Sequence, residues 1–309
     1  MVAYLLRRIA FSLVALWAVT VIAFVVFHVV AQLPVRGQPS YLTQYWWFLR
    51  DLVAHGSLGA GYFGRREITP LVLRLFPVTA SVVVGGAMLW LAFSVPLGIL
   101  SALRARSLFD RAVLTTTLLA FCVHPLVIGL ALSYVFGFRL GWAPIQGYCQ
   151  VFSPPVAAPC GGLGSWAYHL LLPCLTLAIM FTAIYTRMVR ASVLEELSSD
   201  YVRTARAKGA PARRVLIGHV FRNVLLSIVT MVGMDVGVAL GGAIYVEVVF
   251  GLPGLGNEAW LSIGREDWPV LQGIVIFTAI VVILSNLVVD LIYATLDPRV
   301  RLRGTADGR

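Results

Sequence analysis

Charge is scarce in this sequence. Only 12% of its 309 residues are Asp, Glu, Lys or Arg, where soluble domains carry about 25%. Acids number 14, and Lys208 is the single lysine. A phosphate-binding P-loop needs a glycine–lysine pair. Lys208 follows Ala207, so the chain is not a P-loop ATPase by itself. Cysteine occurs four times without a Cys-x-x-Cys pair, which excludes a zinc ribbon. HExxH, GxSxG and any His/Cys cluster at metal-ligand spacing are missing. Repeats at a solenoid period are missing too. No catalytic residue and no metal ligand is assigned.

The chain is 59% hydrophobic, with a mean hydropathy of +0.87. This composition marks a polytopic membrane protein, all-α because its backbone must be satisfied inside helices. The formal charge of +10 would suit nucleic acid in a soluble protein. In a membrane protein, basic residues mark the cytoplasmic side, so no nucleic-acid partner is expected. Apolar runs of the roughly 20 residues a span needs cover residues 9–31, 78–103, 112–138, 167–186, 223–249 and 270–295. A cleaved signal peptide is the alternative for the first run, since Val29-Val30-Ala31 loosely resembles a cleavage site. Its apolar core would be about twice the usual length. With the N-terminus inside, seventeen of the 24 basic residues fall on cytoplasmic segments and seven on outer ones. That bias predicts six spans and two cytoplasmic termini, in one membrane domain over residues 1–309. Arginine in place of lysine fits a GC-rich bacterial genome. Ser, His and Asp lie at different membrane depths, which leaves an intramembrane hydrolase without paired catalytic residues.

The connectors carry further signals. Residues 32–77 form a long first outer loop with Pro34, Pro39, Gly56, Gly59, Gly61 and Gly64. Within it Tyr41, Tyr45, Trp46, Trp47 and Phe48 stand beside Arg50 and Asp51. Aromatics of this kind settle at the headgroup level of lipid, which predicts a short interfacial helix over Tyr41–Val53. A base-stacking platform is the alternative. Gly85, Gly86, Pro96 and Gly98 predict close packing and a bend in the second span. His124 before Pro125 reads as a helix-packed histidine at a kink, and His28 as an interfacial one. Cys149 and Cys160 share the Pro- and Gly-rich loop 139–166, eleven positions apart on the expected oxidising side. A disulfide there would stabilise the loop by about 2–4 kcal/mol; two free thiols are the alternative. Cys122 and Cys174 lie within spans as small buried hydrophobes.

The longest late polar interruption is Ser198–Pro211. Ser198, Ser199 or Asp200 can N-cap a short helix through the side chain. Ala205 and Ala207 favour helix, while Arg206 and Lys208 suit its C-terminal end. Gly209 can take the left-handed conformation that closes it, and Pro211 suits the first turn of a second helix. A two-turn cationic helix is not stable alone and needs a surface to dock on. A solvated loop is the plain alternative.

Asp200-Tyr201-Val202-Arg203-Thr204-Ala205-Arg206-Ala207-Lys208-Gly209 precedes Arg213-Arg214-Val215-Leu216 and His219-Val220-Phe221-Arg222-Asn223. Together they resemble the cytoplasmic loop of binding-protein-dependent ABC importer permeases, closest to the first permease of the dipeptide/oligopeptide group. Tyr4–Arg8, Leu108–Arg111, Leu140–Trp142, Leu252–Gly256, Pro269–Gly273 and Asp290–Arg299 extend the resemblance along the chain. The first outer loop lacks the family's proline–glycine–aspartate step. The resemblance implies a type I ABC importer permease fold with six transmembrane helices. It implies that Asp200, Tyr201, Arg203–Gly209, Arg213 and Arg214 form a coupling helix seated in a cleft of an ATPase subunit. It also implies a second homologous permease, one or two ATPase subunits that hold ATP and Mg, an extracytoplasmic binding protein and a peptide substrate. This chain itself would carry no cofactor and catalyse no reaction, and it would sit multi-pass in a bacterial cytoplasmic membrane. Nickel chelates or glutathione-like solutes are alternative cargo. A stand-alone channel or ion-coupled carrier would call for several intramembrane charges and an internal repeat; the sequence offers Asp235 and Asp290 and no repeat.

Gly233, Gly237 and Gly241 recur every four residues on one face of the fifth span. Small faces let helices approach closely in lipid, so this face is the expected contact with the second permease. Asp235 lies roughly 200° around the helix from that face. A carboxylate there costs on the order of 2.5–3.5 kcal/mol on the insertion scale, so it must face protein or water. It either lines the translocation path or hydrogen-bonds a neighbouring helix. Asp290, near Arg299, reads as an interfacial acid.

Overall fold

The computed structural model describes residues 2–30, 40–62, 66–150 and 160–296. Among them the regular structure is helical. Helix α1 (Val2–Phe24) ends in a π-helical turn, α2 spans Tyr41–His55 and α3 Ile68–Leu103. Helices α4 (Leu108–Cys122) and α5 (Pro125–Leu132) follow, the latter continued by a π-helical turn to Arg139. Then come α6 (Leu163–Ser198), α7 (Asp200–Ala207), α8 (Ala212–Val215) with a π-helical turn to Val220, and α9 (Phe221–Phe250). Helices α10 (Leu255–Gly264) and α11 (Trp268–Leu296) complete the set. Five helices are long and apolar enough to cross a membrane, and α4 with α5 adds a sixth crossing if the bent pair is one span.

Several expected boundaries move. Helix α3 begins at Ile68, ten residues before the expected start, because Ile68 and Val72 are fully buried core residues and Pro70 falls in a first turn that tolerates it. Helix α6 runs twelve residues past the expected end, through Arg187, Arg190, Glu195 and Glu196. At 1.5 Å per residue its 36 residues extend about 54 Å, well beyond a ~30 Å hydrocarbon core. Where one third span is expected, two helices meet at 99°. Pro125 drives His124 out of the helical region, to φ −64° and ψ 139°. His124 leaves the helix there yet still packs on another: exposed at the break, its ring meets the Tyr245 ring of α9 at a centroid distance of 4.7 Å, and it N-caps α5, its Nδ1 accepting from the Leu126 N–H at 3.3 Å. The same break leaves Cys122 exposed, while Cys174 is buried as expected.

The chain divides into two compact units, and α3 and α9 each pass from one into the other. The first comprises residues 1–80, 236–244 and 253–309. Its core gathers Leu58, Ile68, Val72, Leu255, Val270 and Ile274. Tyr45 and Phe48 of α2 pack on Phe24 of α1, at ring-centroid distances of 5.3 and 6.3 Å. The Tyr62 N–H donates to the buried Asp267 carboxylate at 3.1 Å, tying two loops together. Asp290 pairs with Arg8; Arg299, its expected neighbour, lies outside the described residues.

The second unit comprises residues 81–235 and 245–252. Here α3 lies directly on α6 along small residues. A Cβ on Gly85 would stand 2.6 Å from the Cys174 sulfur, and one on Gly98 would stand 2.8 Å from Val189. Trp90 stacks on Phe181 with centroids 4.4 Å apart. A second apolar cluster joins Ala102 of α3, Val189 and Val193 of α6, Val202 of α7, Val215 of α8, and Val224 and Ile228 of α9. The loop after α5 is closed by the Cys149–Cys160 disulfide, with Cα atoms 5.3 Å apart.

Candidate functional site

The α6–α7–α8 corner carries Arg203, Arg206, Lys208, Arg213 and Arg214 within twelve positions. Helix α6 breaks at Ser199, whose backbone turns extended at φ −69° and ψ 152°. The expected side-chain cap does not form. The Ser199 hydroxyl donates instead to the Glu196 carbonyl at 2.6 Å, and Ser198 likewise donates to the Glu195 carbonyl at 2.7 Å. Helix α7 then makes two turns over Asp200–Ala207. Its closure is a complete Schellman motif. Gly209 stands at φ +79°, its N–H donates to the Arg206 carbonyl at 2.9 Å, and the Ala210 N–H donates to the Ala205 carbonyl at 3.1 Å. Pro211 immediately precedes α8, its carbonyl accepting from the Arg214 and Val215 N–H groups.

One side chain anchors this helix: Val202 is fully buried in the apolar cluster. Tyr201 adds a polar clasp. Its hydroxyl donates to the Glu196 carboxylate, and the Asn223 amide donates to Glu196 and to the Tyr201 oxygen, both at 3.2 Å. Burial and then this bond to Glu196 hold the Tyr201 hydroxyl above the ordinary phenol range, so it remains a donor. The rest of the corner is open. Asp200, Arg203, Thr204, Arg206, Ala207, Lys208, Gly209, Arg213 and Arg214 are exposed, and Ala205 is half-buried. A cationic face on a rigid backbone thus projects from one apolar anchor. The sequence reading gave Glu196 no role and Asn223 only a place in the family motif, because their contacts exist only once α6, α7 and α9 converge.

Asp235 sits half-buried on α9 and accepts from the Tyr185 hydroxyl at 2.8 Å. Tyr185 is itself fully buried beside Trp90 and Phe181. A neighbouring helix therefore holds the carboxylate. Gly233 is buried, and Gly237 is met by Val282 of α11, 3.5 Å from where a Cβ would stand. Gly241 has open space around it. The face of α9 that stays exposed runs through Met234, Val238, Gly241 and Tyr245, at helical spacing. Glu247 was also passed over: it is fully buried near the end of α9, inside a run that reads as plain apolar span.

Around the disulfide, the Cys149 sulfur lies 3.1 Å from His169 Nδ1, which also lies 2.8 Å from the Ser165 carbonyl. Cys149, Cys160 and His169 bring three donor atoms within 4.8 Å. The S–S bond withdraws both thiolates from ligation.

The profile of the family described as "Binding-protein-dependent transport system inner membrane component" matches residues 94–302. The chain belongs to this family. The matched range contains the whole α6–α7–α8 corner. A probable peptide ABC transporter permease protein of Sinorhizobium fredii is 34% identical over 81% of this chain and 77% of its own length. A di/tripeptide transport system permease protein of Pseudomonas aeruginosa is 31% identical over 97% of this chain and 99% of its own. A glutathione transport system permease protein of Escherichia coli is 31% identical over 98% and 100%. The chain is thus an all-α, multi-pass ABC permease and not an enzyme.

Proposed function

We propose that this permease is one of two homologous membrane subunits of an ATP-driven importer of short peptides in a bacterial cytoplasmic membrane. Both termini and the α6–α7–α8 corner face the cytoplasm, and both compact units act as one permease domain. Helix α7, with Arg213 and Arg214 flanking it, docks in a cleft of an ATPase subunit that holds ATP and Mg. A binding protein delivers peptide to the opposite side. The observation that carries this reading is α7 itself: a cationic two-turn helix fixed at Val202 and closed at Gly209, with its remaining face exposed. The relatives' names supply the cargo class. The second permease seats on the open stripe of α9, where Gly241 is the part of the glycine series left uncovered. Asp235 is the candidate path residue. Its bond to Tyr185 supports a helix-tying role alongside that one.

The test is reconstitution in vesicles. With the second permease, ATPase and binding protein, labelled dipeptide should accumulate on ATP addition. The chain alone should give no flux; flux from the chain alone would indicate a channel or carrier. A glutathione-like cargo is the second reading, favoured by the 31% identical glutathione permease. Excess glutathione that abolishes dipeptide uptake would support it.

A further inference from the structure

Beside the coupling corner lies a buried ionic cluster to which nothing above assigns a role. Asp110, in the first turn of α4, is among the most buried acids of the described chain. Its two carboxylate oxygens accept four hydrogen bonds. Oδ1 takes the Ser101 hydroxyl and, at 2.7 Å, Arg190 Nε. Oδ2 takes the Arg106 N–H at 2.8 Å and Arg190 Nη2 at 2.8 Å. The guanidinium fork of Arg190 thus grips both oxygens, a geometry that fixes orientation as well as distance. Arg106 is held at φ +65°, a left-handed conformation rare for arginine. Such strain persists only where the surroundings over-determine it.

The cluster connects specific parts. Ser101 belongs to the last turn of α3, Arg106 to the turn after it, Asp110 to the start of α4, and Arg190 to α6. Eight residues beyond Arg190, α6 ends and α7 begins. One turn from Arg190, Val193 shares an apolar cluster with Ala102, the neighbour of Ser101, and with Val202, the anchor of α7. On the other side, Gly98 meets Val189 and the Thr186 carbonyl at backbone distance. The ends of α3 and α4 are therefore joined to the α6–α7 corner by a bidentate ion pair flanked by two packed contacts.

We propose that the Arg190–Asp110 pair is a coupling latch. It makes the ends of α3 and α4 move as one body with the docking helix, so that displacement of α7 by an ATPase subunit reaches two further membrane helices. Arg190 and Asp110 are positioning residues; neither touches cargo. This rests on the coupling role given to α7 above. Apolar packing alone would hold the same parts together but would permit sliding, whereas a fork on a carboxylate has one register.

The test uses the complete reconstituted complex and reads the ratio of peptide taken up to ATP hydrolysed. Removing one partner strands a buried charge, so Asp110→Asn or Arg190→Met alone is expected to lower assembly. The paired variant Asp110→Leu with Arg190→Met removes both charges. It should restore the amount of complex in the membrane, yet lower uptake per ATP at least tenfold while hydrolysis continues. A wild-type ratio in the assembled double variant would overturn the latch, because the pair would then serve folding only. Arg190→Lys keeps the charge and loses the fork, and it should lower the ratio several-fold. Should the double variant fail to assemble, Arg190→Lys decides: an unchanged ratio refutes the proposal. Failure of the underlying reading looks different, since the wild-type complex itself would then show no ATP-driven uptake.

Discussion

Gly209 has a left-handed backbone at φ +79° and open space where a Cβ would stand. An L-residue there costs about 1–2 kcal/mol, with β-branched residues the worst fit. Gly209→Val should therefore spare membrane insertion, distort the closing turn of α7 and cut ATP-driven uptake at least tenfold. Gly209→Asn, which tolerates the left-handed region, should retain most of it. Uptake and hydrolysis in vesicles, normalised to the amount of permease present, check both. The closing glycine was legible because it follows two helical turns of alanine and base. The opening cap was not: Ser198 and Ser199 both turn back onto α6 carbonyls, a local competition between side chain and backbone that residue type does not decide. Likewise Asp235 announces only that it needs a partner. That the partner is Tyr185, fifty positions away, depends on how α6 crosses α9.

Apolar runs revealed that the helices exist, and packing decided where they stop. Arg187 and Arg190 look like the end of a span, yet α6 continues to Ser198. Loss of hydropathy marks the edge of lipid, whereas a helix ends where its hydrogen bonds are diverted. The kink at Pro125 was legible and its size, 99°, was not. That angle arises when His124 leaves the helix entirely and caps the next one. The loop between α5 and α6 shows the reverse case, since two cysteines eleven positions apart in a loop of turn residues suffice to suggest their bond. Cys160→Ser should lower the loop's local stability by about 2–4 kcal/mol. Native hydrogen exchange should then show faster exchange in the peptides flanking Gln150 and Gly161, which pair as an isolated bridge beside the disulfide. Unchanged exchange would mean that the hydrogen bonds from the Trp166 indole to the Tyr148 hydroxyl and from the Tyr168 hydroxyl to the Trp142 carbonyl hold the loop unaided.

For the whole molecule, composition excluded more than it specified. Scarce charge and long apolar runs settled the class, and the placement of arginines supports one orientation over its inverse. The mutual arrangement of acids and bases was hidden: Asp290 meets Arg8 from the other end of the sequence, and Asp110 meets Arg190 across eighty positions. A chain with so few acids places several of them in specific contacts, which makes each one more informative than an average surface carboxylate. Cargo is the least legible property, because under the proposed reading a separate binding protein delivers it.

The single lysine gives this surface a chemistry of its own. Lys208 is the chain's one side-chain amine, and it lies exposed at the end of α7, next to Gly209. An amine-selective acylating reagent therefore has one side-chain amine to modify here, placed where a docked ATPase subunit would cover it. Acylation of Lys208, followed by intact mass, should fall several-fold when the ATPase subunits are bound, and equal modification with and without them would contradict docking at this corner. Endoproteinase Lys-C likewise has one bond to cut, Lys208–Gly209, leaving fragments 1–208 and 209–309. The appearance of those two fragments makes cleavage a direct gauge of how much permease stands without its motor.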